Sequence, residues 1–138
     1  MKYLLLSLFI SISNFGYTQI AYKITHSSAY TKKSLEKDWD LTLPSVAAPI
    51  GSTLVTGDFG FSIVIPGSET IQLSNVKNTK NDNNGHFFTI TGDATTDNGV
   101  PISIMFMLDK EKKHNLFNVV FLQKEPNICL SFEFIDKQ

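Results

Sequence analysis

The strongest constraint on the fold is an odd–even alternation of apolar side chains over residues 100–108 (VPISIMFML). Val100, Ile102, Ile104, Phe106 and Leu108 would share one face. Successive side chains of a β-strand point to opposite faces, so a period of two predicts a strand and not a helix. Residues 87–91 (FFTIT) show a similar alternation and are rich in aromatic and β-branched side chains, which suit a pleated surface.

The two runs are separated by Asp97, Asn98 and Gly99. Asn and Gly tolerate positive φ, which tight hairpin turns require. Residues 87–108 are therefore predicted to form a β-hairpin. Pro101 cannot donate a ladder hydrogen bond, so its position should be at an edge or at an unpaired site.

The same two-residue period predicts further strands along the chain. Alternating or continuously apolar runs cover residues 20–25, 59–65, 69–76, 116–122 and 128–134, and a strand is expected to begin at Asp38 and contain Trp39. Residues 44–49 and the polar segment 77–85 are predicted loops. Short turns favour antiparallel neighbours. The predicted fold is all-β, an antiparallel meander that forms a small barrel or sandwich with little or no helix after residue 18.

Residues 1–18 have the features of a secretory signal peptide: a positive Lys2, an apolar run over residues 3–12, and the small residues Gly16 and Thr18 before a cleavage site. The alternatives are a buried N-terminal strand and an uncleaved anchor. The apolar run is shorter than the roughly 20 residues of a membrane span. We therefore expect an exported protein, secreted or periplasmic in the cell envelope, with one β-rich domain over residues 19–138 and no transmembrane span after cleavage.

Composition excludes some functions. Cys129 is the only cysteine, so no intrachain disulfide can form and stability must come from packing. The formal net charge is −1 and every basic residue is a lysine. Arginine supplies the bidentate fork that grips phosphates and guanine edges. A near-neutral chain without arginine is therefore a poor candidate for binding nucleic acid.

The predicted core is one face of these strands. It comprises Phe61, Ile63, Ile71, Leu73, Phe88, Ile90, Ile102, Ile104, Phe106, Phe117, Val119, Phe121, Leu130, Phe132 and Phe134. The opposite face carries a second apolar set: Met105, Met107, Leu116, Val120, Leu122, Cys129 and Ile135. Three explanations remain open. The N-terminal segment 20–43 with Trp39 folds over this face, the face binds a partner or a second copy, or the strand facing is wrong by one residue.

Motifs for chemistry are scarce. Two Asp- and Asn-rich segments, residues 81–85 and 93–99, fit ordinary hairpin loops better than calcium loops, although Asp93 and Asp97 are candidates for a surface metal site. The histidines, His26, His86 and His114, lack zinc-ligand spacing. No G-x-S-x-G elbow, phosphate loop or dinucleotide fingerprint is present. No cofactor is predicted.

The hairpin rhythm is similar to that of small secreted meander barrels such as the lipocalins. Lipocalins carry a G-x-W motif near the first strand, whereas Trp39 here follows Lys37 and Asp38. The resemblance is one of architecture, and architecture alone does not imply a function.

These observations favour an exported, non-enzymatic β-domain that binds a protein partner or a small hydrophobic ligand. The candidate binding residues are Trp39, Met105 and Met107 on the second apolar face. Two alternatives remain: an exported hydrolase whose site assembles in space, and a structural envelope subunit that self-associates through the same face.

Overall fold

The computed structural model describes residues 19–32, 38–57, 60–111, 115–122 and 127–136. The predicted signal peptide, residues 1–18, and His114 lie outside the described residues. The structure contains nine strands, numbered in chain order: β1 Ile20–Lys32, β2 Asp40–Ala47, β3 Thr53–Gly57, β4 Gly60–Val64, β5 Ile71–Asn83, β6 Phe87–Thr96, β7 Pro101–Asp109, β8 Asn115–Phe121 and β9 Asn127–Asp136. No helix long and apolar enough to cross a membrane occurs in these ranges.

The strands form one antiparallel meander that closes on itself. From β3 to β9 each strand pairs with the next, and β1 pairs with both β3 and β9. The result is a closed barrel of eight strands with β2 as one extra strand. The all-β meander predicted from the alternation is confirmed, and of its two forms the chain adopts the barrel. Closure removes the free edges of the barrel strands that it joins, whereas β2 keeps an edge without a partner strand among the described strands.

One edge of β1 holds two strands placed end to end. Its first residues, 20–23, pair with β3, and residues 26–31 pair with β2. Between the two ladders, the Ile24 amide donates to the Ser52 carbonyl at 3.0 Å and the Ala48 amide donates to the Thr25 carbonyl at 2.8 Å. The barrel continues only through β3, so β2 projects from it and all its residues are exposed.

The barrel interior is filled by interlocking side chains. The buried apolar cluster contains Tyr22, Ile24, Leu54, Ile63, Leu73, Ala94, Ile102, Ile104, Phe106, Phe117, Val119, Phe132 and Phe134. Ring centroids lie 4.8 Å apart for Tyr22 and Phe134, and 5.3 Å apart for Phe106 and Phe134. Such distances are those of packed aromatic pairs. The side chains of Ile104 and Phe106 face inward, so the predicted strand facing is correct.

The hairpin of residues 87–108 is confirmed, with β6 and β7 paired from Phe87–Asp109 to Thr95–Pro101. Two predicted loops are instead strands. Residues 44–47 belong to β2, and most of residues 77–85 belong to β5, which has two register shifts against β6. Asn75 and Asn78 adopt φ of 53° and 54° near these shifts. Asparagine tolerates this left-handed conformation, so a polar, bulged segment remains in the sheet.

Candidate functional site

The second apolar face lines a groove on the outside of the barrel. Side chains directly opposite each other on paired strands share a face. Met105 on β7 is opposite Thr91 on β6 and Asn118 on β8, and Asn118 is opposite Ser131 on β9. The neighbouring row is Asp93, Ser103, Val120, Cys129 and Tyr30. These two rows form the floor of the groove.

The groove has a volume of about 720 Å³. Its floor combines the apolar side chains of Met105, Leu116, Val120 and Cys129 with small polar groups from Ser103, Asn118 and Ser131. Binding sites for small molecules typically measure about 300–1,000 Å³ and join an apolar lining to a few polar groups. The groove fits that description, although it lies on the outer surface of the sheet.

An aromatic rim closes the groove on the β1 side. Tyr30 and Trp39 both line it. Leu41 on β2 is opposite Tyr30, so it extends the same face beyond the rim. The Lys32 ammonium lies 5.6 Å from the Trp39 ring centroid, within cation–π range. This rim exists because β1 and β2 continue past the point where β3 closes the barrel.

The opposite rim comes from the bulged part of β5. Asn78 adopts the left-handed conformation, and its Nδ2 donates to Asp93 Oδ2 at 2.9 Å. Lys80 is opposite Thr91 and also lines the groove. Gly92 permits this approach, since a Cβ there would lie 3.1 Å from the Lys77 carbonyl oxygen. Bulges commonly redirect side chains next to functional sites.

Buried polar or titratable groups on the floor include Ser131, the side-chain oxygen of Asn118 and the thiol of Cys129. Asn118 Oδ1 is enclosed and accepts no hydrogen bond from any described residue, which is uncommon for a buried acceptor. Burial raises the pKa of the Cys129 thiol, so the neutral form is favoured. A thiol in this state is a poor nucleophile.

The sequence-predicted site residues are partly brought together. Trp39 and Met105 line the groove. Met107 lies on the same face of β7, opposite Thr89 and Leu116, but is not part of the lining. In the described part of the N-terminal segment, β1 pairs edge to edge with β9 and becomes part of the barrel wall, while Tyr30 and Trp39 contribute to the groove lining.

The two candidate metal ligands, Asp93 and Asp97, lie in different surroundings. Asp93 lines the groove and is held by Asn78, whereas Asp97 is exposed in the turn after β6. Within the described ranges, no three His, Cys, Asp or Glu side chains are grouped so that they could hold a metal ion.

The groove also offers no described histidine as a general base. His26 Nδ1 lies 3.7 Å from Glu133 Oε2, and His86 lies beside the Phe87 ring at 6.5 Å between centroids. Serine or cysteine catalysis needs an adjacent base to activate the nucleophile. Among the described lining residues, no histidine accompanies Ser103, Ser131 or Cys129, and the charged side chains that share the groove with them are Asp93 and Lys80.

Sequence reasoning missed the polar members of the site: Tyr30, Asn78, Lys80, Asn118 and Ser131. The signal for Asn118 and Ser131 is present in the alternation, since both occupy outer positions between residues of the second apolar set. The signal for Asn78 and Lys80 is absent, because their positions depend on the bulges of β5.

The fold and the groove define a class: a closed antiparallel barrel with a packed interior and a groove on its outer face. The chain matches no family model, and comparison with curated proteins and with solved structures gives no match. Its function must therefore be argued from the groove itself.

Proposed function

We propose that this protein is an exported, non-enzymatic binding module that holds the apolar part of a ligand in the outer groove. The observation that carries the proposal is a concave surface of about 720 Å³ with Met105, Leu116 and Val120 on its floor. Soluble proteins rarely leave such apolar surface open to water without a use for it.

The barrel interior is a poor alternative site. Phe117 and Phe134 are 0% and 1% exposed, and Phe61 and Phe117 pack with ring centroids 4.8 Å apart. A ligand inside would have to displace these rings, each worth about 1.5–3 kcal/mol of burial. The outer groove needs no such displacement, so it is the site that the packing favours.

The only tryptophan of the chain gives a direct test, because Trp39 lies on the groove rim. Titration with dodecanol, a neutral apolar probe, should change Trp39 fluorescence saturably. Met105→Lys should weaken this binding at least about tenfold, since it replaces an apolar contact of roughly 1.5–3 kcal/mol by a charge.

The matched control is Met107→Lys, which adds the same charge on the same strand face outside the groove. It should change the affinity much less. The proposal would be refuted by a wild-type protein whose Trp39 signal does not saturate, or by equal losses in the two variants while both remain folded.

Export is the other part of the proposal, and it is supported by the pattern of residues 1–18. Expression of the full chain in a bacterium with an intact secretion system should give a processed protein that begins at Gln19. Mass spectrometry of the product checks this. An intact chain that retains Met1 and stays in the cytoplasm would contradict export and leave the groove untouched.

A second candidate function, self-association in a structural assembly, is favoured by β2. Leu41, Leu43 and Val46 are 57%, 61% and 55% exposed on a strand that only β1 contacts among the described strands. Under this alternative, sedimentation should show a concentration-dependent dimer that Leu43→Lys abolishes. A monomer at all concentrations would eliminate it. The binding proposal does not depend on this result.

A further inference from the structure

We infer that the ligand is a single-chain amphiphile with an anionic head, bound with its head at the Lys80 rim and its alkyl chain across the groove floor. The inference rests on the proposed function and specifies its ligand class. It is carried by the distribution of charge around an apolar floor, and by the length and direction of that floor.

The two charged side chains in the groove lining, Asp93 and Lys80, differ in whether they have a partner among the described residues. Asp93 accepts a hydrogen bond from Asn78 at 2.9 Å. Lys80 faces the uncharged Thr91 across the ladder, and it forms no ion pair with any described residue. The ammonium of Lys80 is therefore the charge in the lining that remains open to a counterion.

The surrounding charges strengthen this asymmetry. Glu133, opposite Leu116 at the edge of the floor, lies 3.7 Å from His26. On the far rim the second ammonium, that of Lys32, stacks on Trp39. The charged residues that line the groove are Lys80 and Asp93, and of these two only Asp93 has a side-chain hydrogen-bond partner among the described residues. A negative head group is complementary to this arrangement, whereas a cationic one is not.

The shape of the floor favours a long chain. It crosses from β5 to β1, five intervals between neighbouring strands, which is a path of roughly 24 Å along the curved barrel wall at about 4.8 Å per interval. Met105 and Val120 lie between the Lys80 rim and the aromatic rim. Flexible methionine side chains adapt to alkyl chains. A compact ring would leave most of this length unfilled, whereas one extended alkyl chain would cover it.

Three probes of equal chain length separate the effect of head-group charge from apolar binding: dodecanoate, dodecanol and dodecyltrimethylammonium. The two ionic probes are used below their micelle concentrations and dodecanol below its solubility limit. Trp39 fluorescence reports all three. At low salt, dodecanoate should bind more tightly than dodecanol by a factor of up to about five, the upper end of the range for one exposed ion pair. Dodecyltrimethylammonium should bind most weakly. The preference for dodecanoate should largely disappear at about 0.5 M salt because of screening.

Lys80→Gln should abolish the preference for dodecanoate over dodecanol, so that the ratio of the two affinities falls to about one. Lys23→Gln is the control, since Lys23 is exposed, lies outside the groove and gives the same change in net charge. It should preserve the preference. An unchanged preference in Lys80→Gln would overturn the inference.

The possible failures are distinguishable. Equal affinities for dodecanoate and dodecanol would overturn the anionic ligand and leave the proposed function intact. No saturable binding of any probe would remove both proposals. The inference would also be overturned if the protein co-sedimented with phosphatidylglycerol vesicles while its Trp39 fluorescence did not respond to free dodecanoate. That result would identify a membrane surface and not a single amphiphile as the partner.

Discussion

The inner and outer faces of the same strands have different physical roles. Along β7, Ile104 and Phe106 are 3% and 6% exposed, whereas Met105 and Met107, which alternate with them, are half-buried. One set forms the closed core and the other faces the groove or its surroundings. Neighbours in the chain thus contribute to stability or to a candidate site according to the side of the sheet they occupy. Apolar character alone therefore does not identify the core, because the closure of the barrel decides which apolar face is sealed from water.

The largest expected difference between the faces is in stability. Ile104→Ala should lower the free energy of unfolding by about 2–5 kcal/mol, since it opens a cavity in a packed interior. Met105→Ala, one residue away on the outer face, should cost clearly less, because the groove already exposes that side chain to water. Urea unfolding of the two variants measures both values. Equal losses would contradict the assignment of the two faces.

A smaller effect is expected at the bulge that forms the groove rim. Asn78→Ala places alanine, which disfavours the left-handed conformation, at φ 54°. It also removes the hydrogen bond to Asp93. The expected loss of unfolding free energy is about 1–2 kcal/mol. Asn78→Gly keeps the backbone conformation accessible and removes only the side-chain bond, so it should cost less.

The rim would be shown to depend on backbone conformation if the glycine variant kept both stability and probe affinity. If alanine and glycine weakened the protein equally, the hydrogen bond to Asp93 would be the dominant contribution instead. Thermal unfolding and the Trp39 titration together separate these outcomes.

The smallest effect concerns the thiol beneath the groove. Burial raises the pKa of Cys129, so the folded protein should react with iodoacetamide more slowly than the unfolded protein at the same pH. Mass spectrometry of the alkylated product measures both rates. A filled groove should slow the reaction further, whereas a rate unaffected by dodecanol would show that Cys129 is not reached through the groove.

The same burial affects stability at alkaline pH. Burial, followed by the charge of Asp136, also raises the pKa of Tyr22. For both groups the unfolded state ionises first, so their contribution is complete below the unfolded-state pKa and is lost as pH rises through the folded-state pKa. Urea unfolding should therefore show falling stability in strongly alkaline solution, and Cys129→Ser should remove the part due to the thiol.

Much of the core could be predicted because its signal is local. Ile102, Ile104 and Phe106 alternate over a few residues, and the structure buries all three. Tyr22 and Leu54 were not predicted as core residues, although a strand was expected around Tyr22, because their burial depends on the closure of β1 and β3 into the barrel. The candidate site was predicted only through its apolar members. Lys80 and Asn78 reach the groove through bulges that no short-range pattern reveals.

By itself the sequence determined that the chain forms extended segments, because apolar side chains alternate at a period of two. The short turns between these segments favoured antiparallel neighbours, because parallel strands need long crossover connections. The tertiary structure decided that β1 joins β9 to close the barrel, that β2 is left outside it, and that the second apolar face becomes a groove. The reason is that closure depends on contacts between residues far apart in the chain. The pairing of Tyr30 with Cys129 is one such contact, and neither residue carries a local signal for it.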